Sequence, residues 1–149
     1  TALMRTADVI ETKTVEEDED ALKSLIVSAA SGASEQMKKM RAFEGEKLSG
    51  YVEGSMEGWN NRFRISNICV LDFSERSRGV GTVLMKTIEQ AAENTGARML
   101  ILETQSCNEN AIAFYKKNGF EIVGFDLYAY SNDDPERHEV RIEMGKKLH

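Results

Sequence analysis

The sequence has few of the residues that cross-link or punctuate a small fold, since its 149 positions include one proline, two cysteines and two histidines. Cys69 and Cys107 show no paired spacing and no histidine cluster beside them, so we expect neither a disulfide framework nor a bound metal. Both thiols are interpreted as core residues. His138 lies in a polar turn and His149 at the chain end, which argues against a histidine base.

Long apolar runs and a basic leader are also missing. No apolar stretch approaches the roughly 20 residues that span a bilayer, and the first residues lack the basic head and apolar core of a signal peptide. We therefore expect a soluble, cytoplasmic protein with no membrane partner.

Positive charge is in the minority, because 19 lysines and arginines stand against 25 aspartates and glutamates and leave a net charge of −6. This balance argues against a partner with a phosphate backbone, so no nucleic acid is expected. An acidic surface favours a cationic small molecule or a basic peptide.

The composition is otherwise that of an ordinary globular protein, with 41% hydrophobic and 30% charged residues. A chain of this length can bury a core without cross-links. No repeat, linker or low-complexity segment interrupts it, so the sequence predicts a single domain over residues 1–149.

Hydrophobic spacing predicts a helix followed by strands in the first half of the chain. Thr14 to Glu17 have the spacing of a capping box, and apolar positions three and four apart predict a helix that runs to Ala30. The period then changes to alternation, which predicts strands over 37–43, 48–56 and 62–71. The third becomes apolar on both faces, which is typical of a strand inside a sheet.

The second half returns to helical spacing after a glycine-rich turn. Residues 80–94 predict an amphipathic helix and residues 98–104 a short buried strand, so the strands on either side of this helix form a right-handed parallel crossover. Asn108 is predicted to cap a second helix that ends at Lys117, with Gly119 as its left-handed stop. Two strands follow, over 121–130 and 139–146, and a turn joins them.

Together these elements predict an α/β domain with a mixed sheet of six to seven strands, a central parallel βαβ crossover and flanking helices. Exposed strands near the C-terminus allow a homodimer without requiring one.

The glycine-rich turn carries the sharpest chemical signal. Its residues lie between a buried strand and the start of a helix and are Arg76, Ser77, Arg78, Gly79, Val80, Gly81 and Thr82. Amides at a helix N-terminus lack partners inside the helix, and glycines let an anion approach them, so the turn predicts an anion site. It does not match the P-loop, which needs Gly-Lys-Ser/Thr after a four-residue gap. It does not match the dinucleotide fingerprint either, which needs a third glycine where Leu84 stands.

The spacing Arg76-x-x-Gly79-x-Gly81, followed by Asn108-x-x-Ala111-x-x-Phe114-Tyr115-x-x-x-Gly119-Phe120, resembles the GNAT superfamily of acyl-CoA-dependent N-acyltransferases. The resemblance covers about residues 40–147. Within the superfamily, residues 102–105 and 124–130 resemble the streptothricin acetyltransferase branch, which acetylates an amine of a cationic antibiotic.

The resemblance implies acetyl-CoA as the acyl donor. Its diphosphate would lie on the amides of Arg78 to Thr82 with Arg76 nearby, and its pantetheine arm along the backbone of Cys69, Val70 and Leu71. An amide near Val70 or Leu71 would stabilise the developing oxyanion. Asn108 would help to hold the cofactor.

The resemblance also implies roles in proton transfer. Tyr115 would return a proton to the departing thiolate as general acid. Glu103 is the leading candidate for the base, although an ordinary strand-end carboxylate or an anchor for a cation explains it as well. An acidic, aromatic acceptor pocket is predicted from Tyr51, Glu53, Asp126, Tyr128 and Tyr130.

The expected function is therefore acetyl transfer to a primary amine of a small cationic acceptor, such as a streptothricin-type antibiotic. Two alternatives stay open, namely acetylation of a protein N-terminus or lysine and a module that binds acyl-CoA without turnover.

Overall fold

A computed structural model describes residues 12–14, 25–31, 37–44, 47–71 and 79–149. Within these ranges, eight strands form one sheet and three helices lie in the second half of the chain. In chain order the elements are β1 (Thr12–Thr14), β2 (Leu25–Ser31), β3 (Met37–Glu44), β4 (Lys47–Glu57), β5 (Arg62–Val70), α1 (Val80–Asn94), β6 (Met99–Gln105), α2 (Glu109–Lys117), β7 (Glu121–Asp126), α3 (Asp134–Arg137) and β8 (Arg141–Lys147).

The sheet is mixed, and its strand order is β1-β2-β3-β4-β5-β6-β8-β7. Neighbours are antiparallel except β5 and β6, which are parallel and are connected through α1. The predicted α/β class, with a mixed sheet and a parallel crossover, is confirmed.

The helix expected between Thr14 and Ala30 is wrong where the structure describes that stretch. Leu25–Ser31 is a strand that pairs with β3 over seven residues, from Leu25↔Glu44 to Ser31↔Lys38. The β-branched pair Ile26 and Val27 suits a strand, and pairing with β3 outweighs the helical spacing of the alanines and leucines. The part of the predicted helix over 15–24 lies outside the described residues.

The core forms between α1 and one face of the sheet. From the helix come Val80, Val83, Leu84, Met85, Ile88 and Ala92, and these side chains are at least 96% buried. They pack against Phe63 of β5, Leu100 of β6 and Met144 of β8. The face of α1 predicted from its spacing is therefore the buried one.

Helix α2 follows β6 and begins where the sequence predicts. The Asn108 side chain caps it by accepting a hydrogen bond from the Ala111 amide at 3.2 Å, and Gly119 has the expected left-handed conformation, with a φ of 87°. After it, β7 ends at Asp126 instead of continuing to residue 130, because the Asp126 side chain accepts from the Tyr128 amide and starts a turn. The predicted turn before β8 contains the short helix α3.

The interpretation of both cysteines as core residues is wrong, because Cys107 is exposed and Cys69 is only partly buried. His138 and His149 are both exposed, as expected.

No helix in the described ranges is long and apolar enough to cross a membrane. Edge strand β7 exposes Ile122, Val123 and Phe125, and pairing of two copies stays a prediction.

A β-bulge interrupts the pairing of β4 with β5. Glu53 lies opposite Asn67 and Gly54 opposite Ile65, so Ser66 has no opposite residue. The extra residue reverses the alternation along β5, as bulges do. Phe63 and Ile65 contribute to the core before the bulge, and Ile68 and Val70 contribute to it after the bulge.

Gly54 makes this bulge sterically allowed. A Cβ atom there would lie 2.5 Å from the Arg64 carbonyl oxygen and 2.6 Å from Cε1 of Phe63, whereas a Cβ atom on Gly58 would meet nothing within 4 Å. We expect Gly54→Ala to lower the free energy of unfolding by about 1–3 kcal/mol, since a backbone atom must move. Urea unfolding followed by circular dichroism measures this loss.

Gly58→Ala, in the neighbouring turn, is the matched control and should change the free energy by less than about 0.5 kcal/mol. Equal stability of the two variants would contradict the close contact at the bulge.

Candidate functional site

Strands β5 and β6 pair at only three positions and then separate. The pairs are Arg62↔Met99, Phe63↔Leu100 and Arg64↔Ile101. Beyond them β5 stays paired with β4, and β6 stays paired with β8 to the end of both strands. The result is a split in the middle of the sheet, with backbone groups of β5 facing into it.

The register of β5 identifies which amide faces the split. The Leu71 amide donates to the Ser49 carbonyl oxygen at 2.9 Å, so it points toward β4. Because backbone groups alternate in direction along a strand, the Val70 amide points away from β4, into the split. Of the two amides considered from the sequence, Leu71 is therefore engaged and Val70 faces the split.

The N-terminus of α1 lies beside this split. Gly79 is its N-cap with a φ of 84°, no side chain caps the helix among the described residues, and its first turn has no acidic residue. The first helical hydrogen bond runs from the Val83 amide to the Gly79 carbonyl oxygen, at 3.0 Å. The amides of Val80, Gly81 and Thr82 therefore lack partners inside the helix and can bind an anion. Arg76, Ser77 and Arg78 lie outside the described residues.

Helix α2 approaches the same end of α1. A Cβ atom on Gly81 would lie 3.2 Å from Cζ of Phe114 and 3.7 Å from Cγ2 of Val70, so these residues meet where the split and the anion site adjoin. Asn108 stands at the start of α2, where its side chain is used as a cap.

Tyr115 is on α2 and packs against the core. Its ring lies 5.6 Å from that of Phe114 and 6.1 Å from that of Phe120, between centroids. Burial raises the pKa of the Tyr115 phenol, because the charged form loses hydration. The phenol is therefore protonated at neutral pH, as a proton donor must be.

Charged side chains cover the opposite face of the sheet, away from α1. We call them the ion-pair cluster, and they are Glu57, Arg64, Glu103, Asp126, Arg141 and Glu143. They come from β4, β5, β6, β7 and β8, and the strand registers place Glu103 directly opposite Glu143. The cluster therefore spans the sheet at the base of the split.

Hydrogen bonds fix the β4 end of the cluster. Arg64 Nε donates to Glu57 Oε1 at 2.6 Å, and Arg62 Nε donates to Glu57 Oε2 at 3.0 Å. Burial opposes ionisation of Glu57, but the hydrogen bonds from Arg64, Asn60 and Arg62 outweigh it and lower the pKa of this carboxyl. Burial likewise opposes the charge on Arg64, but Glu57 and Glu143 raise its pKa.

A cavity of about 330 Å³ opens beside the cluster. It is lined by Arg64, Ile65, Ser66, Glu103, Arg141 and Glu143, so it includes the bulge residue and the last residue of β5 that pairs with β6. Two carboxylates and two guanidinium groups thus line a space of suitable size for part of a small polar molecule.

Glu103 lies at the centre of this lining and is half-exposed. Its Oε2 atom is 3.8 Å from Nη1 of Arg64 and 3.5 Å from Nη1 of Arg141, both longer than a good hydrogen bond. The carboxylate is therefore accessible to a ligand while two positive groups hold it in place.

Of the predicted acceptor residues, Asp126 and Tyr130 lie near Glu103. Asp126 Oδ2 is 3.3 Å from Nη2 of Arg141. Nη1 of the same guanidinium group contacts Glu103. Burial and then the charge of Glu103 raise the pKa of the Tyr130 phenol, while the charge of Arg141 lowers it.

The other three predicted acceptor residues lie on the loop after β7 and on β4. Tyr128 is 61% exposed on the loop after β7. Glu53 is on β4, and its carboxylate accepts a hydrogen bond from the Asn67 side chain of β5 at 2.6 Å. Tyr51 is also on β4 and lies opposite Cys69 of β5.

Sequence reasoning missed Arg64, Arg141 and Glu143. The available signal was the alternation of Arg141, Ile142, Glu143 and Met144, which places the two charged residues on one face of β8. Among the described residues, no group of three or more histidine, cysteine, aspartate or glutamate side chains could hold a metal ion.

Comparison with known proteins gives a consistent result. The model of the acetyltransferase (GNAT) family matches residues 7–120, which is more than half of the chain. Streptothricin acetyltransferase of Streptomyces lavendulae is 35% identical over 98 residues, 65% of this chain and 51% of that protein. Streptothricin acetyltransferase A of Bacillus subtilis is 42% identical over 85 residues, 56% of this chain and 47% of that protein. The chain thus spans about half the length of these curated relatives.

Solved structures have a similar fold. A crystal structure of a candidate streptothricin acetyltransferase from Bacillus anthracis, in complex with acetyl coenzyme A, matches with a TM-score of 0.70 and 30% identity, over 78% of this chain and 65% of that chain. The structure of nourseothricin acetyltransferase matches with a TM-score of 0.69 and 25% identity, over 95% of this chain and 84% of that chain.

Proposed function

The chain belongs to the acetyltransferase (GNAT) family, and from this premise we propose that it transfers an acetyl group from acetyl-CoA to a primary amine of a small cationic acceptor. The observation that carries the proposal is the split between β5 and β6, with the Val70 amide facing into it beside the open amides of α1. The relatives named streptothricin acetyltransferase support an antibiotic of that type as the acceptor.

The residues of the split fit acetyl-CoA, which supplies an activated acetyl group as a thioester. The amides of Val80, Gly81 and Thr82 would bind its diphosphate beside the N-cap Gly79. We assign Arg76, Ser77 and Arg78 to the same site from the sequence, with the arginines adding positive charge. The backbone of Cys69, Val70 and Leu71 would guide the pantetheine arm, and Asn108 would assist at the start of α2.

The Val70 amide would donate a hydrogen bond to the acetyl oxygen as negative charge develops on it. A backbone donor fixed in a strand needs no reorganisation, and removing one such donor from an enzyme typically costs about 3–4 kcal/mol in activation free energy. This residue therefore carries the electrostatic part of the reaction.

Tyr115 and Glu103 would move the protons. Glu103 would accept a proton from the acceptor's ammonium group, which leaves the amine free to attack the thioester carbonyl carbon. As the carbon–sulfur bond breaks, Tyr115 would give a proton to the departing sulfur. The proton that the new amide nitrogen loses would then restore the Tyr115 phenol, and Glu103 would release its proton to solvent. Tyr115 holds its proton throughout the neutral range because burial raises its pKa. Glu103 is half-exposed beside the cavity, where an acceptor can reach it.

The cationic acceptor is proposed from charge as well as from the relatives. The net charge of −6 attracts a cation at long range, and Glu103, Glu143 and Asp126 supply carboxylates near the cavity. Asp126 and Tyr130 would contribute to the acceptor pocket, with Tyr128, Tyr51 and Glu53 farther along the surface.

A thiol-release assay tests this function directly. The protein is mixed with acetyl-CoA and one acceptor from a panel of streptothricin, an aminoglycoside, spermidine and a short basic peptide, and free coenzyme A is measured. We expect release that depends on a small cationic amine, with acetylation of that amine confirmed by mass spectrometry. Turnover with the peptide alone would favour protein acetylation, and binding of acetyl-CoA without turnover would favour a non-catalytic module.

Thr82→Asp tests the anion site. A carboxylate in the first turn should stabilise α1 by about 0.3–1 kcal/mol but repel a diphosphate, so thermal stability and acetyl-CoA binding should change in opposite directions. We expect the dissociation constant measured by calorimetry to rise at least about tenfold, equivalent to roughly 1.4 kcal/mol. Thr82→Asn is the uncharged control of the same shape as the aspartate, and equal affinity of both variants would remove the diphosphate assignment.

Tyr115→Phe tests the general acid. We expect kcat to fall by about 10²- to 10⁴-fold with little change in the KM for acetyl-CoA, since the ring and its packing are kept. Because burial raises the Tyr115 pKa above its ordinary value of 10.0, ionisation of this phenol should not lower kcat of the unmodified protein between pH 7 and 9. A normal kcat in the variant would assign the proton to water.

A further inference from the structure

Arg64 occupies a distinctive place at the base of the split. It is the last residue of β5 that pairs with β6, and its side chain lies on the face opposite α1. It also lines the cavity, next to the bulge at Ser66. Any group held by Arg64 is therefore held where the two strands begin to separate.

The Arg64 guanidinium joins carboxylates from three other strands. Nε donates to Glu57 Oε1 at 2.6 Å, Nη2 donates to Glu143 Oε1 at 3.3 Å, and Nη1 lies 3.8 Å from Glu103 Oε2. A guanidinium group presents five N–H donors in a rigid plane, so it can hold several carboxylates in fixed relative positions. A lysine ammonium group has the same charge but no such fork.

Glu103 depends on this arrangement more than its neighbours do. Glu57 is fixed by hydrogen bonds from two arginines, and Glu143 by one from Arg64. The ion pairs of Glu103 in the described part of the chain are the longer contacts to Arg64 and Arg141. Its position in the cavity therefore follows from where those two guanidinium groups are held.

We propose that Arg64 is a positioning residue of the acceptor site, which holds Glu103 and Glu143 at the base of the split so that the acceptor amine meets a carboxylate in a fixed place. The inference rests on the proposed acetyl transfer and extends it. The hydrogen bond to Glu57 on β4 fixes the Arg64 guanidinium group. Its other nitrogen atoms then position Glu103 on β6 and Glu143 on β8.

Arg62 provides a matched control on the same strand. It contacts the same carboxylate, with Nε 3.0 Å from Glu57 Oε2, and lies two residues from Arg64 on the same face. Its guanidinium carbon is 5.8 Å from the centre of the Trp59 ring, and no contact between Arg62 and Glu103 or Glu143 is present in the described chain. Arg62→Lys therefore perturbs the anchor Glu57 without removing a direct contact with the acceptor carboxylates.

The experiment compares Arg64→Lys with Arg62→Lys, using acetyl-CoA and the best amine of the acceptor panel. We expect kcat/KM for the amine to fall about 10- to 100-fold in Arg64→Lys, because a small displacement of a reacting group is costly, and by less than about twofold in Arg62→Lys. The KM for acetyl-CoA should be unchanged in both variants. Equal effects of the two substitutions would overturn the inference.

A double-mutant cycle with Glu103→Gln separates positioning from general structural damage. If Arg64 acts through Glu103, adding Arg64→Lys to Glu103→Gln should cause little further loss of kcat/KM. Additive losses, or full activity in Glu103→Gln, would overturn the inference. Absence of amine-dependent thiol release in the unmodified protein would instead refute the proposed function.

Thermal unfolding of each variant is measured in parallel. If Arg64→Lys unfolds at the assay temperature, Glu57→Gln serves as the second variant, since it weakens the anchor of Arg64 while Arg64 and both cavity carboxylates stay intact. It should lower kcat/KM for the amine in the same direction and leave the KM for acetyl-CoA unchanged. An unaltered kcat/KM in a folded Glu57→Gln protein would overturn the inference.

Discussion

The separation of β5 from β6 is the constraint on which the candidate site depends. Parallel strands normally share hydrogen bonds along their length, yet these two pair at only three positions. Each keeps its other neighbour, so the sheet holds together while an opening forms inside it. The bulge at Ser66, allowed by Gly54, reverses the direction of the β5 side chains at this point and places Val70 beside Gly81.

The two faces of the sheet carry different kinds of residues around this opening, apolar on one face and charged on the other. On one face, apolar packing holds α1 and α2, so that the open amides of α1 and the Phe114 ring of α2 lie beside the split. On the other face, charged groups from five strands are linked across its base. In the proposed reaction, the cofactor and the acceptor would therefore approach from different faces of the sheet and meet at the split.

Local signals predicted much of this fold. The helical spacing and glycine of α1, and the Asn108 cap and Gly119 stop of α2, depend on neighbouring residues, and the structure has both helices at these positions. The helix prediction over 25–31 was wrong because the spacing of its apolar residues fits a helix. Pairing with β3, which is not a local interaction, makes it a strand. The ion-pair cluster was missed for the same reason, since Arg64 and Glu143 are 79 residues apart and meet only through the strand order. The choice between the Val70 and Leu71 amides likewise needed the register with β4.

The use of a backbone group as the proposed oxyanion donor has an evolutionary consequence. The N–H of residue 70 belongs to every amino acid except proline, so a gene can drift at this codon and still encode the donor, provided that the strand persists. Selection at residue 70 would therefore preserve the conformation of the main chain and exclude only proline. The one proline of this chain, Pro135, lies far along the sequence in α3, where it leaves that strand untouched.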